Sequence, residues 1–88
     1  MYYVYVLECK DDNSWYIGYT EDLKTRLKDH QSKRGCRTTA MKNNWNLIYY
    51  EAYIEKLDAI GREKFLKGGS GRTYLKKQLN HYFKKDII

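Results

Sequence analysis

Apolar and polar residues alternate from Tyr2 to Cys9, with Val4 and Val6 on one face of an extended segment and Tyr3, Tyr5, Leu7 and Cys9 on the other. The polar run Asp11-Asp12-Asn13-Ser14 breaks the alternation and predicts a hairpin turn, and Trp15 to Tyr19 predicts a second short strand. Gly18 within that strand leaves room for a close approach of backbone or ligand. Thr20 reads as an N-cap, with Glu21 and Asp22 placing negative charge in the first turn of a helix that runs to about Ser32. Leu23 and Leu27 form the core stripe of that helix, and Arg26 and His30 fall beside it, where they can line a cleft. From Lys33 to Asn44 the pattern loses periodicity and reads as a mobile loop. Trp45 to Tyr53 predicts a third strand, with Leu47, Tyr49 and Glu51 on one face and Ile48, Tyr50 and Ala52 on the other. A second helix is expected over Glu55–Lys67, stopped by Gly68-Gly69. Ser70 then caps a third helix over Gly71–Lys84, whose apolar face is Leu75, Leu79, Tyr82 and Phe83. The order β-β-α-β-α-α predicts a small α+β fold, a three-stranded sheet flanked by helices, as a single domain over residues 1–88.

Charge narrows the partners. The chain carries a formal net charge of +6, which favours an anionic partner, nucleic acid above all. Ten tyrosines among its 88 residues supply much of the core while keeping hydroxyls at edges and clefts. Cys9 and Cys36 are too few and too far apart for a zinc site, and without a recognisable signal peptide they are expected to be reduced thiols of a cytoplasmic protein. No apolar run approaches the roughly 20 residues that span a bilayer, so no membrane partner is expected.

The candidate chemistry lies in Tyr5, Tyr16, Arg26, His30 and Glu63. Two phenols, a guanidinium and an imidazole can surround a phosphate, the arginine holding its charge while tyrosine or histidine moves protons. Glu63 shares a helical face with Ala59, Ile60 and Leu66, so its carboxylate needs a partner. A divalent cation, Lys67 four residues on, or Arg26 each satisfies that need. Singly, the residues also have ordinary roles. Arg26 can be a solvated helix-edge residue paired with Asp22 or Asp29, His30 a half-buried satisfied histidine, and the tyrosines plain strand aromatics.

In succession the chain reads Tyr3-Val4-Tyr5, Tyr16-Ile17-Gly18, then Arg26 and His30 within Asp22–His30, then Arg62-Glu63-Lys64. This succession, covering about three quarters of the chain, resembles the GIY-YIG nuclease family. In length the chain is similar to its compact, free-standing members, which resemble the nuclease domain at the N-terminus of the bacterial excision-repair incision subunit. The resemblance implies hydrolysis of a nucleic-acid phosphodiester with one divalent cation, Mg2+ or Mn2+, and no small-molecule cofactor. It implies that Glu63 binds the metal, that Arg26 neutralises transition-state charge, that Tyr5 or Tyr16 takes a proton from the attacking water, and that His30 assists or positions it. The chain departs from the pattern at Tyr3, where the family name has glycine, and at Tyr19, where some relatives carry a lysine. Asn80 lies too far downstream to be assigned as the family's late asparagine.

Lys33, Arg34, Arg37 and Lys42 of the expected loop, together with Lys67 and Arg72, make a candidate surface for tracking a phosphate backbone without reading bases. The leading functional expectation is a structure- or damage-directed endonuclease acting on DNA rather than RNA, of a DNA-repair type. The alternative is a non-catalytic nucleic-acid-binding module on the same fold, and a basic adaptor for an acidic protein is a third.

Overall fold

Every residue from Val4 to Cys9 of strand β1 (Tyr2–Cys9) is buried, and this two-sided burial puts β1 at the centre of the sheet. In the computed structural model, which describes residues 1–31 and 45–84, the remaining elements are β2 (Trp15–Thr20), α1 (Leu23–Gln31), β3 (Trp45–Tyr53), α2 (Lys56–Lys67), α3 (Gly69–Gln78) and α4 (Asn80–Lys84). The expected loop, with Lys33, Arg34, Cys36, Arg37 and Lys42, lies outside the described residues. The strand order is β2-β1-β3 and both pairings are antiparallel, giving the small α+β fold that the patterning predicts.

One face of β1 packs under α2 and α3. Val4 and Val6 join Ala59, Leu66 and Leu75 in a fully buried cluster, ringed by Tyr2, Trp15, Ile17, Tyr19, Tyr49, Tyr53 and Leu79. Burying each of the large aliphatic side chains contributes about 1.5–3 kcal/mol, so this cluster is the main source of cohesion. The other face carries Tyr5, Leu7 and Cys9, all buried, with His30 of α1 buried against Tyr5.

Several local features differ from the expectations. Asp22, not Thr20, caps α1: its Oδ1 accepts from the backbone N–H of Thr25 at 3.1 Å and its Oδ2 from the Thr25 hydroxyl at 2.9 Å. The Thr20 hydroxyl oxygen instead accepts from the N–H of Asp22 at 3.1 Å, shaping the turn that leaves β2. In β3 the register with β1 slips between Val6 and Leu7, so that Tyr49 faces Val6 but Leu47 faces Leu7. The bulge at Ile48 reverses the parity, and Leu47 shares a face with Tyr50 and Ala52 rather than with Tyr49 and Glu51. The third helix starts at Gly69, with Gly68 rather than Ser70 at the N-cap, and is interrupted at Leu79, whose ψ of 34° departs from helical values. There the Asn80 side-chain amide donates to the Lys77 carbonyl at 3.2 Å, taking up a main-chain acceptor at the break and leaving α4 to start a new turn.

Two polar anchors tie the helices to the sheet. Glu51 of β3 accepts from Arg62 Nε at 3.0 and 3.1 Å and from Nη2 at 2.9 Å, and both Tyr49 and Tyr53 donate their hydroxyls to it. Burial alone would raise the Glu51 carboxyl, but the bonds from Arg62 and the two phenols outweigh it and hold the group below its ordinary value. Glu8 of β1 is the second anchor. It is buried and accepts from Trp15 Nε1 at 3.1 Å and from the Tyr82 hydroxyl, while Phe83 stacks on Trp15 at 5.6 Å. Residues of α4 therefore close over the β1–β2 turn. That turn runs through Asn13, at φ 60°, a left-handed conformation that asparagine tolerates.

α3 crosses the end of α2 at Gly71, where an added Cβ would stand 2.3 Å from the Phe65 carbonyl oxygen and 2.5 Å from Leu66 Cα. Both obstacles are backbone and cannot swing aside. Gly71→Ala should lower the unfolding free energy by about 1–3 kcal/mol in urea titrations, whereas Gly69→Ala, which meets nothing within 4 Å, should not destabilise through a clash.

Candidate active site

The site begins with strand register. Tyr5 stands directly opposite Gly18 and Leu7 opposite Tyr16, so both tyrosines project from the α1 side of the sheet. The Tyr5 ring lies across Gly18: a Cβ at that position would sit 2.4 Å from the Tyr5 hydroxyl oxygen and 2.5 Å from Cζ. So placed, the Tyr5 hydroxyl is hydrogen-bonded to Nε2 of His30 at 2.9 Å. The Tyr16 ring meets His30 edge-on at 5.0 Å and lies 6.2 Å from the Tyr5 ring, so the three side chains form one cluster.

Exposure separates their roles. Tyr5 is 1% exposed and His30 3%, while Tyr16 is only half-buried. Burial, and after it the charge of Arg26, holds the His30 imidazole below its ordinary pKa, with Asp29 opposing. His30 is thus a neutral ring at physiological pH. Arg26, one helical turn earlier, is exposed, and its charge reaches His30.

Glu63 approaches from α2, on the other side of the sheet. Its side chain is 19% exposed and its Oε2 lies 3.2 Å from Lys67 Nζ, one of the partners open to it from the sequence. Its charge also reaches Tyr19, whose pKa is raised by burial first and then by Glu21, Tyr2 and Glu63. The Tyr19 hydroxyl is buried without a hydrogen-bond partner among the described residues. The two halves communicate along β2. Tyr16 and Lys67 line a common groove of about 500 Å³, with Trp15, Ile17, Leu66, Gly68, Gly69 and Arg72 as its other walls. The structure therefore brings Tyr5, Tyr16 and His30 together, sets Arg26 beside them on α1, and places Glu63 across β2.

A family model described as the GIY-YIG catalytic domain matches residues 1–85. The chain belongs to the GIY-YIG family. GIY-YIG domains are typically endonucleases, act on nucleic acid and generally use a divalent metal. Among similar chains, the UPF0213 protein YazA of Bacillus subtilis is 39% identical over 66 residues, which span 75% of this chain and 66% of that one. A UPF0213 protein of Limosilactobacillus reuteri is 39% identical over 82 residues, 91% of this chain and 84% of the relative. The match spans just under two thirds of YazA and of a Streptococcus pneumoniae relative, at 66% and 65% of their lengths. The solution structure of the UPF0213 protein BH0048 from Bacillus halodurans is similar at a TM-score of 0.54 and 40% identity, covering 93% of this chain and 85% of that one. The resemblance read in the sequence thus holds at the level of family and fold.

Glu63 offers a carboxylate, an oxygen donor of the kind Mg2+ or Mn2+ takes, and its charge reaches the unpartnered Tyr19 hydroxyl. No cluster of three His, Cys, Asp or Glu side chains occurs among the described residues. A cation held here fits the one-carboxylate class, which keeps water and takes substrate phosphate oxygens. Among the described residues no helix is long and apolar enough to cross a membrane.

Sequence reading missed the groove along β2 and the part Trp15, Gly68 and Gly69 play in it. The run Gly68-Gly69-Ser70-Gly71-Arg72 was the available signal, a glycine density beyond what ending a helix requires.

Gly18→Ala should push the Tyr5 ring off the strand and break its contact with His30. The Tyr5–His30 hydrogen bond, followed through the imidazole NMR resonances, should be lost while the β-sheet circular dichroism persists. Because His30 is held below its ordinary pKa, its contribution to stability is complete above about 6.5 and is lost as pH falls from there towards its folded value. Thermal melts across this window should show an acid-side decline that is absent in His30→Gln.

Proposed function

We propose that this protein is a cytoplasmic, metal-dependent endonuclease that hydrolyses DNA phosphodiester bonds, directed by substrate structure or damage rather than by sequence. The observation that supports the reading is the convergence of half-exposed Tyr16 on the buried Tyr5–His30 pair, in a chain whose residues 1–85 match the GIY-YIG catalytic domain. A domain of 88 residues has little surface for extensive base readout, which favours recognition by shape.

In this reading Tyr16 is the tyrosine that meets substrate, because Tyr5 is buried beneath it. As phenolate it takes a proton from water as the water oxygen attacks phosphorus, and the bond from phosphorus to the leaving 3′ oxygen breaks. An isolated phenol has a pKa of about 10, so the base needs positive charge beside it, which Arg26 and a bound cation would supply. Tyr5 and neutral His30 fix the position of the Tyr16 ring from below. Arg26, exposed on α1, neutralises charge building on the phosphate. Glu63 would hold a Mg2+ or Mn2+ ion, which when bound would polarise the phosphate and offset charge on the leaving oxygen.

A second reading, a binding module without cleavage, is favoured by the engagement of Glu63 with Lys67 at 3.2 Å. Cleavage of plasmid and branched DNA by the pure protein with Mg2+ or Mn2+ separates the two. Glu63→Gln should abolish nicking and keep DNA binding, Arg26→Ala should slow it about 10²-fold, and Tyr16→Phe should cost more than Tyr5→Phe. If wild type binds these substrates without cutting any of them, the binding module is the correct reading.

A further inference from the structure

The groove along β2 holds more cationic and main-chain apparatus than hydrolysis at Tyr16 requires. Arg72 is pinned there in one pose. Its guanidinium lies over the Trp15 ring at 4.3 Å, and its Nη2 donates to the Asn13 carbonyl at 3.0 Å. An arginine fixed on both counts loses little freedom on meeting a ligand, and its outer face and remaining N–H groups stay available on an exposed side chain. Lys67, with its side chain 55% exposed, stands on the same wall. Between them Gly68 and Gly69 line the groove with bare backbone, so a phosphate can come close to the main chain.

We propose that this groove is a subsite for one nucleotide of a single strand, next to the bond facing Tyr16. Lys67 and Arg72 contact its phosphate, and its base stacks on the outer face of the Arg72 guanidinium, which Trp15 backs from beneath. The occupant follows from the chemistry of the walls: two cations fit a phosphodiester, and a planar guanidinium layered on an indole is a platform for any base. The opening, about 500 Å³, matches a single nucleotide unit rather than a duplex. This inference rests on the nucleic-acid part of the proposed function and adds to it a strand preference and a place of contact.

Trp15 reports on the site directly. The chain has two tryptophans, so Trp45→Phe leaves Trp15 as the sole indole. Titrating a short oligothymidylate into that variant should change Trp15 emission. Lys67→Met and Arg72→Met should each raise Kd about tenfold and reduce the slope of log K against log salt by about 0.7. Arg72→Lys should recover the slope but not the emission change, since lysine cannot stack. Lys56→Met, at the other end of α2, should alter neither. Unchanged Trp15 emission at saturation, or unaltered salt slopes in both methionine variants, overturns the subsite while leaving an endonuclease that still nicks DNA. Binding with these signatures but without nicking upholds the subsite and overturns the endonuclease. A wild-type protein that neither binds nor nicks overturns both.

Discussion

The Tyr5 phenol occupies the space that a side chain at position 18 would need, and the site takes its shape from that exchange. Because the two residues face each other in the β1–β2 ladder, the ring can lie flat over the strand only where there is no Cβ. From there its hydroxyl reaches His30, and that hydrogen bond is one of the ties between α1 and the central strand. Tyr16, two residues before Gly18, inherits its position from the same ladder and rests its ring against the same imidazole. One missing side chain thus sets the relation of a strand, its neighbour and a helix.

The other half of the site is oriented by charge. Arg62 binds Glu51 through both carboxylate oxygens and lies 5.2 and 5.1 Å from the centroids of the Phe65 and Tyr74 rings, which meet each other edge-on, and this ties α2 to β3 and α3. Glu63 is the next residue, so its direction follows from that clamp. Burial pushes the Tyr53 phenol up to about 12, with Glu51 adding to the effect, so it remains a hydrogen-bond donor throughout the physiological range. The clamp has no titrating member near neutral pH, and the helix carrying Glu63 is held alike across that range.

The bounds of β1 and β3 were legible because their alternation is long and ends at polar residues. The face of Leu47 was not, since a bulge leaves no mark in composition: Ile48 and Tyr49 are as apolar as any pair in a regular strand. At the start of α1 the sequence points to Thr20 as the cap with Asp22 in the first turn, and the path of the backbone out of β2 makes Asp22 the cap instead. Within the candidate site, strand parity already placed Tyr5 on one face of β1, and helical spacing gave Lys67 as a partner for Glu63. The groove was illegible for another reason. Its walls come from β2 and from the α2–α3 junction, and what joins them is the close crossing at Gly71, a tertiary event that no local pattern announces.

The closure of α4 over the β1–β2 turn has a consequence for how the chain is made. Glu8 and Trp15 belong to the first hairpin, but their covering side chains are Tyr82 and Phe83. On a ribosome the hairpin emerges with a carboxylate and an indole that lack these two covers until synthesis has passed residue 83. Loop-closure entropy opposes an encounter at such separation until α2 and α3 have folded between the two ends. The first structure drawn from the sequence is thus among the last to be completed, and the nascent chain has no finished hairpin to offer a passing strand.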